Sequence, residues 1–299
     1  MGDNLMELAL LPLQFPFMQK ALLITVIIAP AAAMLSCFLV LKGWSLMGDA
    51  VSHAVLPGVV LAYVAGIPLV FGAFLAGLFT ALATGFIKDH SRVKQDTVMG
   101  VVFSGMFGLG IVIYTRIDSG LHLDHILFGN MLGVGSEDLW TTSLIAVPVA
   151  LILLVKWRDV LAQAFDPVQA QMVGLPVKVI HYGLLATLSA TIVAMLSSVG
   201  IILSIAFLIA PGAVAFLLTR RFGPMLFAAV IVALISGISG IYASFWIDSA
   251  PAPTIVLILT AFFIAALTWR TRLSARNAAK AATVLDAGDE PPFGMQKQP

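Results

Sequence analysis

Long apolar runs, separated by short polar connections, dominate the sequence. Nine of these runs contain at least 17 residues each, close to the roughly 20 apolar residues that a helix needs to cross a bilayer core. They cover residues 18–41, 46–65, 67–87, 97–115, 139–155, 180–198, 199–219, 224–247 and 252–269. Because the connections near Gly66 and Gly200 are very short, the exact number of spans stays open by one. The pattern predicts an all-α, polytopic helical membrane protein with about eight or nine transmembrane helices.

The composition supports this interpretation and excludes several classes of protein. Of the 299 residues, 60% are hydrophobic and only 10% are charged, whereas soluble domains contain about 25% charged residues. The net charge of +1 is too small for a protein that neutralises nucleic-acid phosphates. Cys37 is the single cysteine, which excludes an intramolecular disulfide and a four-cysteine metal site. A soluble enzyme, a disordered chain and a nucleic-acid binder are therefore excluded.

The basic residues predict the orientation of the chain in the membrane. With nine alternating spans, fourteen of the sixteen lysines and arginines fall on one side, and only Lys20 and Arg116 fall on the other. Since basic connections face the cytoplasm, we expect residues 1–17 outside, a membrane domain over residues 18–270, and a cytoplasmic C-terminus. Residues 271–299 form a polar tail that we expect to be disordered.

Asp49 is the one charge that lies within an apolar run rather than at its end. A carboxylate at mid-membrane costs about 2.5–3.5 kcal/mol on insertion scales, so it is expected to face a wet cavity or a bundle interior. His53 follows four residues later and shares the same helical face. Oxygen and imidazole ligands together suit a divalent transition metal. A two-fold related second copy of the chain would supply two aspartates and two histidines, which is a plausible four-ligand shell.

A simpler interpretation of the same residues stays open. Asp49 stands near the start of its span, where a carboxylate can cap a helix and interact favourably with the helix dipole. His53 would then be an ordinary buried histidine that bonds a carbonyl group. Spacing alone does not decide between the metal site and the helix cap.

Two other observations limit the chemistry. His122, Asp124 and His125 form a cluster of ligand types in the outer loop, although such loop clusters are more often solvated than metal-bound. No phosphate-binding loop of the type Gly-x-x-x-x-Gly-Lys-Ser/Thr occurs in the sequence, so any ATP that drives transport must be hydrolysed by another chain. We therefore expect that this chain is not an enzyme.

The connection over residues 164–176 predicts a short helix on the cytoplasmic side. Asp166 is a good N-cap and Pro167 a good first helical residue, and Gly174 is suited to end the helix. Exposed apolar residues on so short a helix would suit docking into a groove of a partner. An ordinary interfacial connector would have the same pattern.

Several motifs occur together in the order that is typical of one family. Residues 42–58 (KGWSLMGDAVSHAVLPG) resemble the signature of the permease subunit of bacterial ABC importers for manganese, zinc and iron. Residues 165–176 (FDPVQAQMVGLP) look like the coupling helix of that family, at which the permease meets its ATPase. Two further stretches are similar to the family, residues 126–130 (ILFGN) and 204–213 (SIAFLIAPGA). The resemblance covers about residues 15–270.

The resemblance implies the fold, the partners and the roles of individual residues. The fold would be that of ABC importer permeases, similar to the vitamin B12 and siderophore type, in the bacterial inner membrane. Asp49 and His53 would bind the metal on its path through the membrane. The coupling residues would be Phe165, Asp166, Pro167, Ala170 and Gly174. No cofactor would be bound permanently, because the divalent metal is cargo and ATP binds to a partner subunit.

The implied partners are a cytoplasmic ATPase, an extracytoplasmic metal-binding protein, a second permease copy or a homologous permease, and membrane lipid. Two other classes of protein stay open from the sequence. A proton-coupled secondary metal transporter predicts inverted repeats and more carboxylates within the membrane. A membrane scaffold predicts that the metal content of the cell does not depend on the gene. Likeness to the family favours manganese or iron over zinc.

Overall fold

A computed structural model describes residues 11–117, 129 and 131–288. Ten α-helices and two short 3₁₀ turns, Leu11–Gln14 and Met131–Gly133, make up this part of the chain. The helices are α1 (Pro16–Leu41), α2 (Ser45–Ala54), α3 (Leu56–Ala65), α4 (Leu69–His90), α5 (Gln95–Arg116), α6 (Ser136–Phe165), α7 (Pro167–Met172), α8 (Val177–Leu218), α9 (Phe222–Ile247) and α10 (Pro251–Gly288). No strand occurs in the described ranges, so the expected all-α class is confirmed.

Nine helical segments within the described residues are long and apolar enough to span a membrane, the number that the apolar pattern predicted. One span is built from α2 and α3, which are separated at Val55. Pro57 explains this break, because proline lacks an N–H donor and its ring disfavours a regular helix in the preceding turn. Two further spans lie within α8, which leaves helical geometry at Gly200 (φ 77°, ψ 177°). Glycine adopts this positive φ without the strain that a side chain would cause.

Helix α1 forms the centre of the bundle. It packs against α6, α8 and α9, and alanines such as Ala29 and Ala32 are fully buried along it. The hydroxyl group of Ser36 donates to the carbonyl of Ile209 (3.0 Å) and accepts from the N–H of Gly212 (2.9 Å). Both partners lie within two residues of Pro211, which lacks an N–H donor. Ser36 therefore satisfies backbone groups close to the proline.

A second group of helices, α2 to α5, packs against α8 through α2 and α4. Helices α3 and α4 cross at Gly58 and Gly72, where a Cβ on Gly72 would overlap the carbonyl oxygen of Gly58. At Gly77 an added Cβ would lie 2.6 Å from the hydroxyl oxygen of Ser189 on α8. Small residues let the backbones of membrane helices approach each other closely. Gly58, Gly72 and Gly77 therefore let α3, α4 and α8 pack closely.

The outer connection between α5 and α6 contacts the break in α8. Gly129 has a φ of 68° and lies so close to Gly200 that a Cβ would overlap the backbone there. Met131 and Val134 are buried. This segment therefore packs on the bundle, while residues 118–128 and 130 lie outside the described part of the chain, and with them His122, Asp124 and His125.

Helix α10 extends beyond the apolar span, from Pro251 to Gly288. Six alanines among residues 271–288 give this polar segment a high intrinsic helix propensity. Residues 289–299 lie outside the described part of the chain.

Candidate functional site

Asp49 and His53 lie one helical turn apart on α2, as their spacing predicted. The Oδ1 atom of Asp49 is 3.3 Å from Nε2 of His53. Helix α2 itself packs against α5 and α8, and Gly48 permits close contact because a Cβ there would lie 3.2 Å from a methyl group of Leu208. The buried hydroxyl of Ser52 donates to the carbonyl of Gly48 (2.7 Å), so it stabilises the helix rather than the site.

The separation of the two side chains suits a shared cation. Two donors that bind one metal at about 2.1 Å each, with an angle of about 90–110° between them, lie roughly 3.0–3.4 Å apart. The observed distance of 3.3 Å between Asp49 and His53 falls within that range. This distance is also that of the direct contact between the two side chains, which a bound ion would replace.

The helix-cap interpretation of Asp49 is wrong. Helix α2 begins at Ser45, with Trp44 as its N-cap residue, and its first turn contains no acidic residue. Asp49 is the fifth residue of the helix and pairs with a side chain, not with a free backbone N–H. A cap must accept from the first turn of the helix, so Asp49 has no capping role.

Aromatic side chains of α5 hold the imidazole ring in place. The ring centroid of His53 lies 5.4 Å from that of Phe103 and 5.6 Å from that of Phe107. The Nδ1 atom of His53 is buried and has no hydrogen-bond partner within the described part of the chain. Sequence reasoning missed both phenylalanines, because two aromatic residues four apart in an apolar helix are common in any membrane protein.

The pair is accessible from outside the chain. The side chain of Asp49 is 38% exposed and that of His53 is 26% exposed. Over residues 11–117, 129 and 131–288, no group of three or more His, Cys, Asp or Glu residues is close enough to hold one ion. The described part of one chain thus presents two candidate ligands on an open face.

The short helix α7 forms as the sequence predicted. The carboxylate oxygen Oδ1 of Asp166 accepts from the backbone N–H groups of Val168 and Gln169, both at 2.9 Å. At the other end, the N–H of Leu175 donates to the carbonyl of Ala170 (3.0 Å), and Gly174 has a φ of 85°. These bonds form a Schellman motif, which positive φ at the glycine makes possible.

The exposed surface of α7 is apolar. Phe165, Val168, Met172 and Val173 expose between 65% and 83% of their surface, whereas Ala170 is buried against the bundle. Pro167 is the first residue of the helix. An exposed apolar helix held by caps at both ends is suited to bind in a groove of a partner protein.

Asp248 has a structural role at the end of α9, where it adopts the left-handed conformation (φ 53°). Aspartate tolerates this conformation better than most residues with a side chain. Nothing in the geometry of Asp248 indicates a binding site.

Known proteins support the family that the motifs indicated. The family model "ABC 3 transport family" matches residues 14–270. A chelated iron transport system membrane protein of Yersinia pestis, YfeD, is 54% identical over 256 residues, which cover 86% of each chain. A manganese transport system membrane protein of Synechocystis, MntB, is 43% identical over 86% of this chain and 84% of the relative.

Solved structures give the same result for the fold. The structure titled "PsaBC from Streptococcus pneumoniae in complex with Fab" aligns with a TM-score of 0.76 at 35% identity, over 84% of this chain and 91% of the other. An inward-facing putative metal-chelate type ABC transporter aligns with a TM-score of 0.62 at 17% identity and supports the fold alone. The membrane bundle, the motifs and the relatives together show that the chain belongs to the ABC 3 transport family, as a membrane-spanning permease subunit.

Proposed function

We propose that this permease imports a divalent transition metal, Mn²⁺ or Fe²⁺ with Zn²⁺ as a less favoured cargo, driven by ATP that a separate subunit hydrolyses. The observation that carries the proposal is the Asp49–His53 pair, whose 3.3 Å separation suits one cation and whose position lies within a membrane span. Relatives named for iron and for manganese transport support this class of cargo.

A second permease completes the site. One chain supplies two ligands on an open face, and two ligands alone bind a metal weakly. A second copy, or a homologous permease, related by a two-fold axis would bring a second Asp–His pair to the same point. Four ligands of this type match the donor preferences of Mn²⁺, Fe²⁺ and Zn²⁺.

The proposed orientation puts α7 on the cytoplasmic side of a bacterial inner membrane. Its support is the excess of basic residues on that side, fourteen of sixteen, since basic connections face the cytoplasm. An extracytoplasmic metal-binding protein delivers the ion to the outer side. Asp49 and His53 bind it briefly, and binding must be weak enough for release, as in other conduction pathways.

Helix α7 transmits the action of the ATPase. Its apolar surface, formed by Phe165, Val168 and Met172, is exposed at the end of the bundle that faces the cytoplasm. Docking of this surface in a groove of the ATPase would move α6 and α8, which flank α7 in the chain. A proton-driven secondary transporter needs no such partner, and membership of an ABC family does not favour it.

Deletion of the gene tests the proposed function directly. We expect that cells without it lose uptake of one of Mn²⁺, Fe²⁺ or Zn²⁺ when that metal is scarce, and that a plasmid copy restores uptake. The measurement is the metal content of the cells under each single limitation, by mass spectrometry. Unchanged content of all three metals would contradict the proposal. Uptake that persists in cells without the ATPase gene would favour a secondary transporter instead.

The Asp166→Ala substitution tests the role of α7. Loss of a helix cap costs about 1 kcal/mol, which is large for a helix of six residues, so α7 should fray. We expect less ATPase to co-purify with the permease and metal uptake to fall several-fold. Asp166→Ser, which keeps a capping oxygen, should restore both.

Asp159→Ala is the matched control for this substitution. Asp159 is a carboxylate on the same side of the membrane that pairs with Lys156 at 3.2 Å, and it does not cap α7. Full ATPase recovery and full uptake in the Asp166→Ala variant would show that α7 is an ordinary connector.

A further inference from the structure

A positively charged pocket lies beside α7 and plays no part in the proposed metal path. It has a volume of about 490 Å³ and opens at the end of the bundle that carries α7. Lys42 follows α1, Lys88 lies near the end of α4, and Lys178 lies at the start of α8. Three separate segments of the chain thus bring three lysine ammonium groups to one cavity.

The charge of this pocket is not neutralised by its own walls. None of the described residues that line it carries a carboxylate. The Nζ atom of Lys42 donates to Oε1 of the buried Gln163 (2.8 Å) and lies 4.6 Å from the ring centroid of Trp44. Burial and the charge of Lys88 lower the pKa of Lys42 to about 8. Such a lowered pKa is expected for a buried lysine when no nearby carboxylate stabilises its charged form.

The three lysines lie at the ends of candidate membrane spans, where phospholipid head groups are expected. Lys42 directly follows the span Pro16–Leu41, Lys88 ends the span Leu69–Lys88, and Lys178 is the second residue of the span Val177–Leu196. Aromatic residues are enriched at this depth, and Trp44 and Tyr182 line the pocket. Apolar lining residues such as Leu41 give a lipid tail a surface to lie against.

We propose that this pocket binds the phosphate head group of an anionic phospholipid of the cytoplasmic leaflet, such as phosphatidylglycerol. Basic pockets between membrane helices on the cytoplasmic side bind anionic head groups by charge and by hydrogen bonds from lysine. Pro167, the first residue of α7, lines the same cavity. A bound lipid therefore contacts the segment to which the ATPase would dock, and it supports the position of α7.

The test measures lipid binding to the purified, delipidated full-length chain by native mass spectrometry. The probes are dioleoylphosphatidylglycerol, the corresponding phosphatidylethanolamine, and inorganic phosphate as a competitor. We expect the wild-type chain to retain phosphatidylglycerol in preference to phosphatidylethanolamine. The Lys88→Gln/Lys178→Gln double variant changes two exposed residues and is expected to fold. Its affinity for phosphatidylglycerol should fall by about fivefold for each lysine removed.

Lys156→Gln is the matched control for the double variant. It removes one lysine on the same side of the membrane, but Lys156 pairs with Asp159 and lies outside the pocket. Lipid binding by this control should equal that of the wild type. Equal binding by the double variant would overturn the proposal. Displacement of the lipid by an equal concentration of inorganic phosphate would also overturn it, because the site would then bind a free anion.

Discussion

Cells that depend on an Asp49→Asn permease are expected to accumulate at least about tenfold less metal than cells with the wild-type permease. Loss of an outer-shell partner alone reduces metal affinity by about 10–100-fold, and Asp49 supplies the only carboxylate within reach of His53 among the described residues. The substitution keeps the size of the side chain and removes its charge. Uptake of radioactive Mn²⁺ and Fe²⁺ is the measurement.

His53→Gln is expected to reduce uptake in the same way, because it removes the imidazole ligand. Matched controls are available away from the site: Asp159→Asn on α6 and His90→Gln at the end of α4. Both controls should transport normally. All four variants must be present in the membrane at wild-type amounts, which immunoblotting establishes. Wild-type uptake by both site variants would exclude the pair as metal ligands.

Gly72→Leu is expected to prevent folding of the segment that carries the site. A Cβ at this position would overlap the carbonyl oxygen of Gly58 and the Cβ of Ala62, so α3 and α4 would have to separate. Overpacking a well-packed interior costs about 1–3 kcal/mol and occasionally more, and here the obstacle is rigid backbone. We expect strongly reduced amounts of the protein in the membrane and a lower midpoint of thermal unfolding in detergent.

Gly100→Leu is the control for this prediction. Gly100 lies in α5, and nothing is within 4 Å of a Cβ added there. Leucine also has a higher helix propensity than glycine by about 0.8 kcal/mol. The control should therefore accumulate normally. If Gly72→Leu behaved like Gly100→Leu, the close crossing of α3 and α4 would not contribute to stability.

Local features of the structure could be predicted from the sequence. The capping of α7 by Asp166 and its end at Gly174 depend only on residues within about one turn of each other. The pairing of Asp49 with His53 follows from the pitch of a helix in the same way. The membrane spans could be predicted for a similar reason, because the thickness of the bilayer sets the length of each apolar run.

Features that depend on contacts between distant residues could not be predicted. Phe103 and Phe107 contact His53 across some fifty residues of sequence. Lys42 and Gln163, which form part of the basic pocket, are 121 residues apart. Residue type alone does not show which of many phenylalanines or lysines the packing of helices brings together.

Helix α6 connects α7 to the opposite end of the bundle. It contains 30 residues and is therefore about 45 Å long, and only Asp166 separates it from α7. Pro148 interrupts its backbone hydrogen bonding near the middle, which permits a bend there. If the proposed ATPase tilted α7 and α6 together by about 5°, a straight helix of this length would move by about 4 Å at its other end. Under the proposed function, a small rotation beside α7 would thus reach the opposite end of the bundle.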